Sequence, residues 1–97
     1  MKAKKAKLLA FDMASHLVDA DAIAEYLSQV LNDGDDDELI RALGHIAKAR
    51  GMAQIAEDAG LGRESLYKAL APGARPRYDT VLKVTRALGI RLHATAA

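Results

Sequence analysis

A glycine in the middle of the chain constrains the fold more than any other feature. Residues 51–70 have the sequence GMAQIAEDAGLGRESLYKAL, with apolar residues spaced as in two short helices joined by a turn at Gly60. Gly60 can adopt the left-handed conformation that reverses the chain after a helix. Four residues earlier, the small side chain of Ala56 lets two helix backbones approach each other. The pattern therefore predicts helices at 53–59 and 63–70.

The second of these helices has a polar outer face. Its apolar residues Leu66 and Ala69 are predicted to turn inward. Four polar side chains then face outward: Arg63, Glu64, Tyr67 and Lys68. This arrangement is typical of a helix-turn-helix motif, here at residues 51–71, whose second helix enters the DNA major groove. A helical protein-interaction module that never contacts DNA has the same pattern and is kept as an alternative.

The net charge of +1 conceals a strongly uneven distribution of charged residues. Residues 1–7 contain four lysines, whereas residues 8–37 contain eight carboxylates and neither lysine nor arginine. Residues 38–97, which include the helix pair, contain ten basic and five acidic residues. This uneven distribution of charge suggests two surfaces for two kinds of partner. The basic part, residues 38–97, suits the phosphates of a nucleic acid.

Composition and spacing argue against several classes of protein. The chain has no cysteine, which excludes disulfides and thiolate metal sites and fits a cytoplasmic protein. No apolar run approaches the roughly 18 residues that a membrane span needs. The three histidines, at positions 16, 45 and 93, have neither triad nor metal-ligand spacing. We therefore expect a cytoplasmic, nucleoid-associated protein that is not an enzyme and binds no metal or cofactor.

Two helices are predicted before the helix pair. Residues 1–10 are expected to form a flexible basic arm, and residues 11–17 can form either a helical turn or an extended segment. A helix over 21–32 follows, capped by Asp19 or Asp21, and a second runs from Asp35 or Asp36 to Ala49. Gly44 lies inside the second helix, where a close helix crossing would explain it. The predicted buried residues are Ile23, Leu27, Val30 and Leu31 in the first helix and Leu39, Ile40, Leu43, Ile46 and Ala47 in the second.

The chain after the helix pair is predicted to contain a loop, a helix and a strand. The segment 71–78 contains both prolines and is expected to be the loop. A last helix is predicted from an Asp79 cap through Leu88. Residues 90–94 alternate between apolar and polar side chains, which predicts a short C-terminal strand. Because a lone strand needs a partner edge, a second copy of the chain is the expected supplier, which favours a homodimer.

The assembled pattern resembles the addiction-module antidote proteins, the antitoxins of bacterial type II toxin–antitoxin pairs. The matching segments are AIAEYLSQVLNDGD (22–35), ALGHIAKARGMAQIAEDAGLGRESLYKAL (42–70) and TVLKVTRALGIRL (80–92). For residues 11–97 the resemblance implies a single all-α, five-helix domain of the lambda-repressor type with a Cro-like helix-turn-helix. The predicted C-terminal strand would be added to it.

The same resemblance implies a function. It is that of a DNA-binding antitoxin that neutralises a small, basic, RelE-like toxin, an mRNA-cleaving protein, and that represses its own operon, usually as a dimer. A phage-type repressor without a toxin partner is the alternative. The chain departs from the family at Gly62, where serine is usual, and so lacks a hydroxyl that can reach a phosphate.

The helix-turn-helix assignment predicts which side chains contact double-stranded operator DNA. Arg63 is expected to pair with guanine O6 and N7, and Glu64 to accept a hydrogen bond from cytosine N4. An intrahelical contact between Arg63 and Tyr67 is the alternative, and Tyr67 can also cover the edge of the core. Contacts to the DNA backbone or sugars are expected from Gln54, Ser65, Tyr67, Lys68, Arg75 and Arg77.

The acidic segment 11–37 is the predicted toxin-binding region, because an RNA-cleaving partner is expected to be basic. Within it, Phe11, Met13 and Leu17 are the candidate toxin-binding anchors, since Phe and Met are favoured in interface cores. Packing of these three side chains on the chain's own helices is the alternative.

Overall fold

Five α-helices make up the regular structure of the described part of the chain. The computed structural model describes residues 19–97. The helices are α1 (Ala20–Asp33), α2 (Asp36–Arg50), α3 (Met52–Ala59), α4 (Arg63–Ala69) and α5 (Tyr78–Ala87). For residues 19–97 the expected all-α fold with five helices is confirmed, with helix ends within about two residues of the predicted ones. The basic arm and the candidate anchors Phe11, Met13 and Leu17 lie outside the described residues.

Aspartate side chains cap the first two helices, as predicted. Asp19 Oδ1 accepts a hydrogen bond of 3.0 Å from the backbone N–H of Asp21, and Asp35 Oδ1 accepts one of 2.8 Å from Glu38. These bonds satisfy backbone donors that have no partner inside the helix. The cap residues are therefore Asp19 and Asp35, and the alternatives Asp21 and Asp36 lie inside the helices.

The predicted cap of the last helix was wrong. Helix α5 begins at Tyr78, and its N-cap residue is Arg77, which makes no capping bond with its side chain. Asp79 lies inside the first turn, where Oδ1 accepts a 2.9 Å hydrogen bond from the Thr80 N–H. A carboxylate is favourable throughout the first helical turn because of the helix dipole, so its presence alone did not identify the cap position.

One core joins the apolar faces of all five helices. Its fully buried large side chains are Ile23, Leu27, Leu43, Ile46, Ile55, Leu66, Val84 and Leu88. Leu31, predicted to be buried, is instead 51% exposed. It lies at the edge of the apolar stripe of α1 and near the end of the helix, while Ile23, Leu27 and Val30 take the side that faces the core.

The turn between α3 and α4 forms around Gly60 as predicted. Gly60 has φ +71° and ψ +30°, in the left-handed region. Its N–H donates to the Glu57 carbonyl at 3.1 Å, and the Leu61 N–H donates to the Ala56 carbonyl at 2.8 Å. These bonds close the end of α3 with little loop, so α4 begins only three residues later.

Gly44 marks the close crossing that was expected in α2. A Cβ atom built on Gly44 would lie 3.4 Å from the carbonyl oxygen of Leu70, at the end of α4. A Cβ atom there would touch this oxygen at the limit of ordinary van der Waals contact. Gly44 thus lies where the backbone just after α4 passes close to α2.

The predicted C-terminal strand is absent: residues 90–97 have no regular secondary structure. Ile90 is buried and its N–H donates to the Thr85 carbonyl at 2.9 Å, while Leu92 packs at the edge of the core. The alternation of apolar and polar side chains at 90–94 therefore reflects packing against the core. It does not reflect a strand, because no other extended segment within residues 19–97 pairs with it through backbone hydrogen bonds. In the same part of the chain, no helix is both long and apolar enough to span a membrane.

Candidate nucleic-acid interface

Helix α4 exposes a polar face and is held to the core by its opposite side. Leu66 is fully buried and Leu70, just after the helix, is 7% exposed. The side chains predicted to contact DNA from this helix are all exposed: Arg63, Glu64, Ser65, Tyr67 and Lys68. The five side chains are therefore accessible to a macromolecular partner without any rearrangement of the core.

Arg63 and Tyr67 contact each other along α4. The guanidinium carbon of Arg63 lies 5.8 Å from the centre of the Tyr67 ring, and Tyr67 is 44% exposed. Such a cation–π contact at an exposed site contributes about 0.5–1 kcal/mol. The intrahelical alternative weighed for Arg63 is thus present in this chain. It leaves the N–H groups of the guanidinium accessible.

Gln54 and Asp58 are hydrogen-bonded across one turn of α3. The Nε2 atom of Gln54 donates to Asp58 Oδ1 at 2.9 Å, and both residues are exposed. Asp58 thus holds the amide N–H group predicted to contact a phosphate. The second N–H of the same Nε2 atom is left for a phosphate, although the carboxylate of Asp58 lies next to it.

Arg75 and Arg77, in the loop after α4, each pair with a carboxylate. Arg75 Nη1 lies 3.5 Å from Asp36 Oδ2 at the start of α2, and Arg77 Nε lies 3.3 Å from Asp79 Oδ1. All four side chains are more than half exposed. Exposed ion pairs of this kind contribute about 0–1 kcal/mol, so an anionic partner can displace them readily.

A basic row on α2, which sequence reasoning missed, lies beside α4. Arg41, His45 and Lys48 line a groove of about 340 Å³ together with Tyr67 of α4. Their spacing of four and three residues is itself a signal, because it aligns side chains on one face of a helix. The predicted DNA contacts included no residue of α2, since the position of α2 beside α4 is a result of tertiary packing.

Burial raises the pKa of Tyr26 on α1 from its ordinary value of 10.0. The carboxylate of Glu38 raises this pKa further, and the nearby charge of Arg41 lowers it. Among residues 19–97, no group of histidines and carboxylates has the arrangement of a metal site.

The fold and this surface define a class: a small all-α domain that presents a short polar helix after a left-handed glycine turn. The chain belongs to the family described as "Probable addiction module antidote protein", whose family model matches residues 7–96. It is also 46% identical, over 81 residues that make up 84% of each chain, to a Haemophilus influenzae protein described as "Uncharacterized protein". No solved structure matches the chain.

The family match confirms the resemblance to addiction-module antidotes. The role of the family is that of an antitoxin, which implies a toxin as the partner in general. Because the match extends over almost the whole chain, it applies to the acidic N-terminal part as well as to the helix pair.

Proposed function

We propose that this protein is an antitoxin that binds double-stranded operator DNA through α4, represses its own operon and neutralises a RelE-like, mRNA-cleaving toxin. The observation that carries the DNA-binding half is the exposed polar face of α4, anchored by the buried Leu66. A short helix of this kind, placed after a tight turn, fits the major groove of B-form DNA. The chain's place in the antidote family supports the antitoxin half.

Base recognition is assigned to the first turn of α4. Arg63 can donate two hydrogen bonds to O6 and N7 of one guanine, and Glu64 can accept one from N4 of a cytosine. Ser65, Tyr67 and Lys68 then contact sugars or phosphates. Gly62, the N-cap residue of α4, has no side chain for a capping bond, so anchoring to a phosphate there relies on the backbone alone.

Phosphate contacts from the neighbouring segments would accompany this readout. In this proposal Arg75 and Arg77 exchange their carboxylate partners for DNA phosphates, and Gln54 contacts a phosphate through its second amide N–H. The exchange replaces weak exposed pairs with contacts that release counterions from the DNA. Binding should therefore weaken steeply with salt. A homodimer would place two copies of α4 on two half-sites about one helical turn apart.

The toxin-binding surface is assigned to residues 11–37. All seven carboxylates of residues 19–37 are exposed, and the exposed Leu31 supplies an apolar contact on the same helix as three of them. A basic toxin would be steered to this surface and masked by it. Phe11, Met13 and Leu17 stay predictions for the same interface, and a cytoplasmic, nucleoid-associated location follows from the two partners.

Two measurements with the full chain test the proposal. The first is the affinity for a duplex taken from upstream of the chain's own operon, compared with a scrambled duplex between about 50 and 200 mM salt. We expect tight, sequence-dependent and salt-sensitive binding, and the absence of binding to any duplex would favour a protein-interaction module. The second is growth rescue when the chain is co-expressed with the product of the neighbouring reading frame. Operator binding without such rescue would favour a phage-type repressor.

A further inference from the structure

Three side chains with N–H donors follow one exposed line along α2. Arg41, His45 and Lys48 are all exposed, and their spacing places them on the same face of the helix. From the first to the last, the line rises about 10 Å at 1.5 Å per residue. It therefore offers several donors along a straight path, which suits a linear array of acceptors.

This line and helix α4 form the two sides of one groove. Tyr67 and Leu70 contribute the α4 side and its end, and the backbone of Leu70 passes close to Gly44 of α2. None of the residues that line the groove carries a carboxylate; they are Arg41, Gly44, His45, Lys48, Met52, Tyr67, Leu70, Ala71 and Pro72. An anion can thus enter the groove without meeting a negative charge on its walls.

Arg41 and Lys48 carry the two permanent charges of the groove. Within residues 19–97 neither has an ion-pair partner, unlike Arg75 and Arg77. Glu38 precedes Arg41 by three residues on α2, and both residues influence the pKa of Tyr26. Arg41 and Lys48 are therefore available to a partner without displacing a carboxylate that already holds them.

We propose that Arg41, His45 and Lys48 form a second DNA contact, which binds the phosphate backbone along the strand that flanks α4. This inference rests on the proposed binding of operator DNA by α4 and extends its footprint to α2. Charge complementarity supports it: three donors without an intervening acid match a chain of phosphates, whereas a basic toxin would be repelled. Tyr67 connects the two parts of the footprint, because it lines the groove and contacts Arg63 on the same helix.

The inference is tested with the double variant Arg41→Gln, Lys48→Gln of the full chain. Its matched control is Lys83→Gln, Arg91→Gln, which removes one lysine and one arginine from exposed positions in α5 and the C-terminal residues. For each protein, the affinity for the operator duplex is measured over a range of salt concentrations. Circular dichroism and the thermal midpoint verify that all variants are folded.

The α2 variant should bind more weakly to every duplex, with unchanged preference among base sequences. Its slope of log affinity against log salt should be smaller than that of the wild type by about 1.8, since each phosphate contact contributes about 0.9. An α2 variant with the same slope and affinity as the control would overturn the inference, and its phosphate contacts would have to lie elsewhere. If the α2 variant binds DNA as the control does but no longer binds an acidic protein that the wild type binds, the groove would be assigned to that acidic protein. A wild-type chain that binds no duplex would refute the proposed function and this inference with it.

Discussion

Tyr67 lies one helical turn beyond Arg63 on the exposed face of α4, and its ring lies 5.8 Å from the guanidinium carbon. The contact limits the positions that the long arginine side chain can take before DNA is bound. Arg63 is therefore partly ordered towards the solvent side of the helix, where a base edge would be met.

The first prediction concerns this pair. Tyr67→Leu should reduce the preference for the base pair that Arg63 is proposed to recognise by about 0.5–1 kcal/mol, because the cation–π contact is lost. Tyr67→Phe keeps the ring and should retain the preference. Both variants are measured against operators substituted at each position in turn. Equal discrimination by the leucine variant and the wild type would show that the ring does not position Arg63.

A second prediction concerns the two glycines around the turn. Gly60→Ala should lower the free energy of unfolding by about 1–2 kcal/mol, since φ at this position is in the left-handed region. Gly62→Ser is the matched control, because Gly62 has φ −67° and ψ 149° and lies at an N-cap. Serine at position 62 should raise the free energy of unfolding by a few tenths of a kcal/mol, because its hydroxyl can cap the helix. Urea unfolding measures the free energy of unfolding of both variants. An unchanged value for Gly60→Ala would contradict the left-handed turn at this position.

Gly62→Ser also tests the proposed DNA contact. The added hydroxyl supplies a group at the start of α4 that can donate to a phosphate. We therefore expect tighter binding of the serine variant to the operator and to scrambled duplexes alike. Unchanged affinity would mean that the start of α4 does not approach the DNA backbone.

A third prediction follows from the raised pKa of Tyr26. Because this phenol ionises at a lower pH in the unfolded chain than in the folded one, the free energy of unfolding should fall as the pH rises above about 10. Tyr26→Phe should reduce this fall. Tyr78→Phe is the control, since Tyr78 is 72% exposed. The free energy of unfolding is measured by urea between about pH 9 and pH 11. If it falls equally with pH in both variants, burial of Tyr26 does not cause the fall.

A fourth prediction addresses the toxin surface. Deleting residues 1–37 is unsuitable as a test, because Ile23, Leu27 and Val30 belong to the core. Reversing one exposed charge on α1, with Glu25→Lys, should instead slow association with a basic toxin several-fold at low salt. Glu57→Lys, at an exposed position on α3, should change the rate less. If the two variants slow association equally, the toxin surface does not lie on α1.

The sequence predicted the features that depend on local chemistry. The left-handed turn at Gly60 and the aspartate caps of α1 and α2 each have a steric or hydrogen-bonding requirement that few residues meet. The sequence left open which of two aspartates caps each helix. The exposure of Arg63 and its neighbours followed from the same helical spacing.

Features that depend on distant parts of the chain were missed or wrong. The alternation at 90–94 arises from packing at the edge of the core, which period-two patterns cannot distinguish from a strand. The pair between Arg75 and Asp36 and the groove between α2 and α4 join residues that are far apart in sequence. No local pattern contains that information.

Arg63→Ala offers the most direct test of the central claim, that the exposed face of α4 recognises DNA. Affinities of the variant and the wild type are compared over operators substituted one base pair at a time. We predict that the variant loses about 1–3 kcal/mol of discrimination at a single base pair, with a nearly unchanged salt slope. A variant that keeps wild-type discrimination at every position would contradict the claim.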